Sequence, residues 1–194
     1  MPPESLMTKL REYSEITNVG PILRRYFVIG AFDGALTVLG IILGAVVAGA
    51  GETHRSLVIA LSFSAAIALA ISSFVGAYEA ERVERKMNQM SLERAMLSEL
   101  SETHKDAFTF AALLGAGVHG IAPLIAALVP VVPFLFLPFG DAVWVSIILT
   151  MGGLFVMGAY MGNLAKEKVI FSGMRFVAAG LVTAIVLWLI GGRP

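Results

Sequence analysis

Gly30-Ala31-Phe32-Asp33-Gly34-Ala35-Leu36-Thr37-Val38-Leu39-Gly40-Ile41-Ile42-Leu43-Gly44 sets one carboxylate inside a run otherwise suited to lipid or a protein core. Asp33, Thr37, Gly40 and Gly44 follow one another at spacings of four, three and four, which brings them to one face of an α-helix. That face is small and polar, and the rest is Ile, Leu, Val and Phe. An ionisable group at membrane depth costs roughly 2.5 to 3.5 kcal/mol on insertion scales, so it faces a cavity or a partner rather than lipid. An ion path is one reading of Asp33; a carboxylate that binds a nearby Ser or Thr and only fixes helix packing is the other.

The composition around this stretch points to a bilayer. Hydrophobic residues make up 57% of the 194 and charged residues 14%, against roughly 25% charged in a soluble domain. With no cysteine, disulfides, thiolate metal sites and iron–sulfur clusters are excluded. Metal chemistry is left to oxygen, imidazole or thioether ligands. A formal charge of zero and the lack of a basic run argue against nucleic acid as a partner. Residues 1–26 mix Glu, Lys and Arg without the apolar core of a cleaved signal.

The fold class expected is an all-α integral membrane protein with five transmembrane helices, at about 26–50, 57–80, 107–131, 142–164 and 170–191. Each run is near the twenty residues that cross about 30 Å of hydrocarbon. Residues 1–25 form an amphipathic N-terminal segment whose helix ends at Gly20-Pro21. Between spans two and three, residues 81–106 read as a short helical hairpin of two helices broken near Met90-Ser91, and Thr103-His104-Lys105-Asp106 has capping-box form before span three. Five spans put the termini on opposite sides. Twelve basic residues fall on the side of the N-terminus and hairpin, and two, Arg55 and Arg193, on the other. By the positive-inside rule the N-terminus and hairpin are cytoplasmic, and the expected location is the cell membrane.

Beyond Asp33, the residues able to meet an ion lie mostly on the hairpin. Glu81 and Glu84 share a face with Ala77, Met87 continues it, and Glu93, Met96, Glu99 and Glu102 recur every three residues. Glu79 opens the same segment. A carboxylate and thioether set without Cys suits Fe²⁺ or Mn²⁺ held loosely enough to be passed on; a solvated helix laced by Glu–Arg pairs is the plainer alternative. His54 and His104 read as solvated. His119 inside span three reads equally as a proton relay or a packing residue. The glycines at 30, 34, 40 and 44 make two GxxxG pairs, and a seam of them between two copies of the helix would bring two Asp33 side chains towards one axis. No nucleophile with its base, phosphate loop or diiron pair is present, so an enzyme is not expected.

Several stretches resemble the vacuolar iron transporter family over residues 24–191. Asp33-Gly34-Ala35-Leu36-Thr37 with Leu43-Gly44 is similar to its first-span motif, and Ser72, Gly76 and Tyr78 to its second. Ala127-Leu128-Val129-Pro130-Val131-Val132-Pro133-Phe134 resembles the close of its third span, Ser146–Thr150 through Gly158 its fourth, and Ser172-Gly173-Met174-Arg175 with Ala178, Gly180, Leu181 and Gly191 its fifth. The resemblance implies that Asp33 is the intramembrane carboxylate for metal or proton, at a homodimer interface between the first two spans. Two features depart from the pattern. Ala77 stands where the family carries a second-span Glu, and the insert is shorter than in plant and fungal members.

The function expected is export of a divalent metal, Fe²⁺ or Mn²⁺, from the cytoplasm by proton antiport. The metal is cargo, and no resident cofactor is expected. The partners expected are the lipid bilayer, a second copy, divalent ions and protons. A non-transporting docking protein or a metal sensor that uses the acidic hairpin is the alternative.

Overall fold

A computed structural model describes residues 6–99 and 101–191. Met1–Ser5, Leu100 and Gly192–Pro194 lie outside the described residues, and so do the exterior cation Arg193 and the side chains of residues 6–10. The order is α1 (Leu6–Thr17), α2 (Val19–Val47), a 3-10 turn (Glu52–His54), α3 (Arg55–Met96), α4 (Glu102–Val131), α5 (Pro133–Phe136), α6 (Phe139–Leu164) and α7 (Val169–Gly191). Five of these, α2, α3, α4, α6 and α7, are long and apolar enough to cross a membrane. The protein is an all-helical, five-span membrane protein.

Three boundaries differ from expectation, each for a local reason. The chain turns between α1 and α2 at Asn18, whose φ is 44°, a left-handed value that Asn tolerates. Pro21 then sits in the first turn of α2, where its missing N–H has no intrahelical partner to lose. Residues 19–25 therefore belong to the first spanning helix rather than to the N-terminal segment.

The second difference is larger. No break occurs near Met90-Ser91: α3 runs unbroken for 42 residues. Its cytoplasmic half has no Gly or Pro after Gly76, and pairs three or four apart hold it together, with Arg82 on Glu79 at 2.7 Å, Arg85 on Glu81 at 3.2 Å and Gln89 on Glu93 at 2.9 Å. The helix stops at Leu97, where φ is 54°. Third, Ser101 rather than Thr103 stands before the first turn of α4, in extended backbone and with its hydroxyl 2.8 Å from His104 Nδ1.

α4 is the central element, packed along both α3 and α2. A Cβ on Gly30 would lie 2.8 Å from the His119 carbonyl and one on Gly34 would lie 2.5 Å from that of Pro123. Only glycine permits this approach of two backbones. Tyr26 lies against Gly115, so the matched pairs 26/115, 30/119 and 34/123 advance together and α2 and α4 run parallel. Towards the exterior, Val38, Ile42, Val58, Ala66, Ala127 and Phe134 join one buried cluster. Pro130, in the last turn of α4, has its carbonyl met by Ser146 Oγ, which donates to it at 2.6 Å.

Opposite the hairpin, Glu52 and Arg55 form a clasp. They pair at 3.1 Å, the Phe139 amide donates to Glu52 Oε2 at 2.7 Å, and the Arg55 guanidinium donates to the Leu137 carbonyl. α7 packs on α6 through Gly158, Gly162 and Gly173. Exposed Ile67, Ile71, Trp144, Ile148, Ile170 and Trp188 give the spans the apolar exterior that lipid requires.

Candidate intramembrane ion site

Asp33 is half-buried on α2 and has no hydrogen-bond or ion-pair partner among the described residues. No Ser or Thr binds it, so the packing role weighed from sequence has no hydrogen bond behind it. One turn on, Thr37 is exposed; Gly44 meets nothing within 4 Å, and Gly40 meets only a Thr183 methyl at 3.9 Å. The face deduced from the spacing is therefore left largely open by the described residues. The first glycine pair, however, does not serve a second copy: Gly30 and Gly34 are filled by α4 of the same chain.

His119 on α4 lies within electrostatic range of Asp33. His119 Nδ1 lies 3.0 Å from the Tyr26 carbonyl, and the two rings are 5.1 Å apart at a tilt of 48°. A carbonyl only accepts, so Nδ1 carries the hydrogen and Nε2 has the free lone pair of the neutral ring.

Tyr26 then connects this level to the cytoplasmic end. Its hydroxyl donates to Glu81 Oε1 at 2.9 Å, while Arg85 Nε reaches Glu81 Oε2 at 3.2 Å and Arg25 lies at 3.6 Å. Glu81 is buried, 4% exposed, one turn beyond buried Ala77. Position 77 thus faces the helix interface, and no carboxylate stands there. The carboxylate on that face is held by a tyrosine and two arginines, which makes Glu81 a joint between α2 and α3. Sequence reading missed Tyr26; the signal was a lone phenol following Arg24-Arg25 at the cytoplasmic end of a span.

The remaining hairpin residues are dispersed. Glu79 pairs with Arg82, Glu102 with Lys105 at 2.9 Å, and Glu93 accepts from Gln89. Glu84, Met87, Met96 and Glu99 are exposed. Among the described residues no three His, Asp or Glu side chains converge as a metal cage. At the root of the hairpin α3 and α4 instead enclose about 210 Å³ between Arg82, Arg85, Lys86 and Lys105, with Tyr78 and Phe108. Among the described residues His54 and His104 make local hydrogen bonds, in the exterior turn and with Ser101.

A bundle of five spans with an unpartnered carboxylate at membrane depth defines a class of polytopic membrane protein built around an intramembrane ionisable group. Comparison with known proteins narrows the class. The VIT family model matches residues 24–109 and 87–192, and the chain belongs to that family. An uncharacterized protein of Methanocaldococcus jannaschii is 33% identical over 171 residues, which is 86% of this chain and 87% of the relative. Membership carries membrane metal-ion transport as the general activity.

Proposed function

We propose that the protein exports a divalent first-row ion, Fe²⁺ or Mn²⁺, from the cytoplasm in exchange for protons, with Asp33 as the carboxylate that alternates between the two. The observation that carries this reading is the solitary state of Asp33. A half-buried carboxylate inside a span, with no hydrogen-bond partner among the described residues, is stable only if a cation, a proton or a second molecule completes it.

The open face of Thr37, Gly40 and Gly44 supports a homodimer through the first two spans, in which two Asp33 side chains approach one axis. Exposed Glu79, Glu84, Glu99 and Glu102 with Met87 and Met96 supply a loose, cation-attracting hairpin surface, with Glu93 beside them. Glu81 belongs to the joint between helices and does not join that surface. The cell membrane is the proposed location.

The test is flux in reconstituted vesicles, with a metal indicator and a pH-sensitive dye inside. Wild type is expected to move Fe²⁺ or Mn²⁺ with opposite proton movement. Asp33→Ala is expected to abolish both; undiminished metal flux through that variant defeats the reading.

A further inference from the structure

Two ionisable side chains within the spans are incompletely satisfied, and the fold sets them side by side. His119 packs on Gly30, with Nδ1 3.1 Å from where a Cβ on that residue would be. Gly30 and Asp33 are three apart and so are neighbours on the helix surface. The Cα–Cβ bond of a helical residue tilts towards the helix N-terminus, so Asp33 leans towards the turn that carries His119. Electrostatic interaction between the two groups agrees with this placement. The Tyr26 carbonyl takes the Nδ1 hydrogen, which orients the ring and leaves Nε2 as the basic nitrogen.

We infer that His119 Nε2 and Asp33 together form one nitrogen–oxygen cation site, with His119 as the second protein ligand at a depth where Ala77 supplies none. The inference rests on the reading of Asp33 as the ion carboxylate and adds a donor to it. A neutral imidazole held by a second-shell carbonyl is a common arrangement for a transition-metal ligand. It also sets a preference. Nitrogen donors favour first-row transition ions, whereas an all-oxygen site also serves Mg²⁺ and Ca²⁺. His119 thus makes the site selective against the abundant hard cations. Two copies of the chain would bring two such pairs, but each pair is complete within one chain.

The experiment uses purified full-length protein with Mn²⁺ as the probe, titrated and then examined by pulsed electron paramagnetic resonance for ¹⁴N coupling to bound Mn²⁺. Wild type is expected to show saturable binding with an imidazole nitrogen signature. His119→Gln, which keeps a donor for the Tyr26 carbonyl, is expected to bind Mn²⁺ at least about tenfold more weakly, to lose the ¹⁴N signature and to discriminate less against Mg²⁺. The double variant His54→Gln/His104→Gln is expected to keep all three properties. Asp33-dependent binding without nitrogen coupling in wild type, or coupling that survives His119→Gln, overturns the inference and leaves the transport reading standing. Binding that ignores Asp33 overturns both.

Discussion

The Tyr26 hydroxyl donates to Glu81 across 55 residues of sequence, joining the cytoplasmic end of α2 to that of α3 through one buried carboxylate. Removing either member has a different cost. Tyr26→Phe deletes one hydrogen bond and is expected to destabilise the protein by about 1 kcal/mol. Glu81→Ala strands the Arg85 guanidinium, whose side chain is only 12% exposed, and is expected to cost about 3 kcal/mol. Denaturant unfolding in detergent micelles measures both. Equal losses would show that Arg85 is not dependent on Glu81.

The glycines of α2 divide into two kinds. Gly34→Ala places a methyl 2.5 Å from the Pro123 carbonyl, and relief of that overlap is expected to cost about 1 to 3 kcal/mol as α2 and α4 separate. Gly44→Ala meets nothing within 4 Å and is expected to leave the folded chain unchanged. Thermal unfolding of the two variants should differ accordingly; similar melting would remove the close approach of α2 to α4.

If the open face of α2 meets a second copy, bulk at Gly44 acts on assembly alone. Gly44→Leu is expected to shift detergent-solubilised protein from dimer towards monomer in light scattering while helical content holds. A dimer that tolerates Gly44→Leu places the interface elsewhere.

Asp33 carries a cost that only its ligand removes. In metal-free protein Asp33→Ala is expected to raise stability, by up to about 3 kcal/mol if the carboxylate is fully desolvated and less for its half-buried state. Saturating Mn²⁺ at one hundred times its dissociation constant is expected to stabilise wild type by about 2.7 kcal/mol and the variant not at all. Calorimetric scans with and without Mn²⁺ give the comparison, and identical shifts for both proteins would place the ion away from Asp33.

Length and hydropathy made the five spans legible, because a run of some twenty apolar residues leaves the backbone little choice but a helix. The anomaly of Asp33 was equally plain, since spacing alone put it on a small, polar face that the fold leaves open. What the sequence concealed was pairing at a distance. Nothing local says that Gly30 and Gly34 are filled by His119 and Pro123 rather than by another copy, as GxxxG suits either partner. Glu81 looked like one of several hairpin carboxylates; only the approach of Tyr26 and Arg85 sets it apart. The expected break at Met90-Ser91 failed for a simpler reason. Neither residue stops a helix, and the Gln89–Glu93 pair bridges the place where the break was expected.

The unbroken course of α3 ties the hairpin and the second span into one rod. At 1.5 Å per residue its 42 residues reach about 60 Å, roughly twice the hydrocarbon thickness. Its cytoplasmic and membrane portions are therefore one continuous helix, with the Tyr26–Glu81 joint about two-thirds of the way along it. With no Gly or Pro between Gly76 and Met96, nothing in α3 offers a hinge at which the hairpin could bend apart from the span.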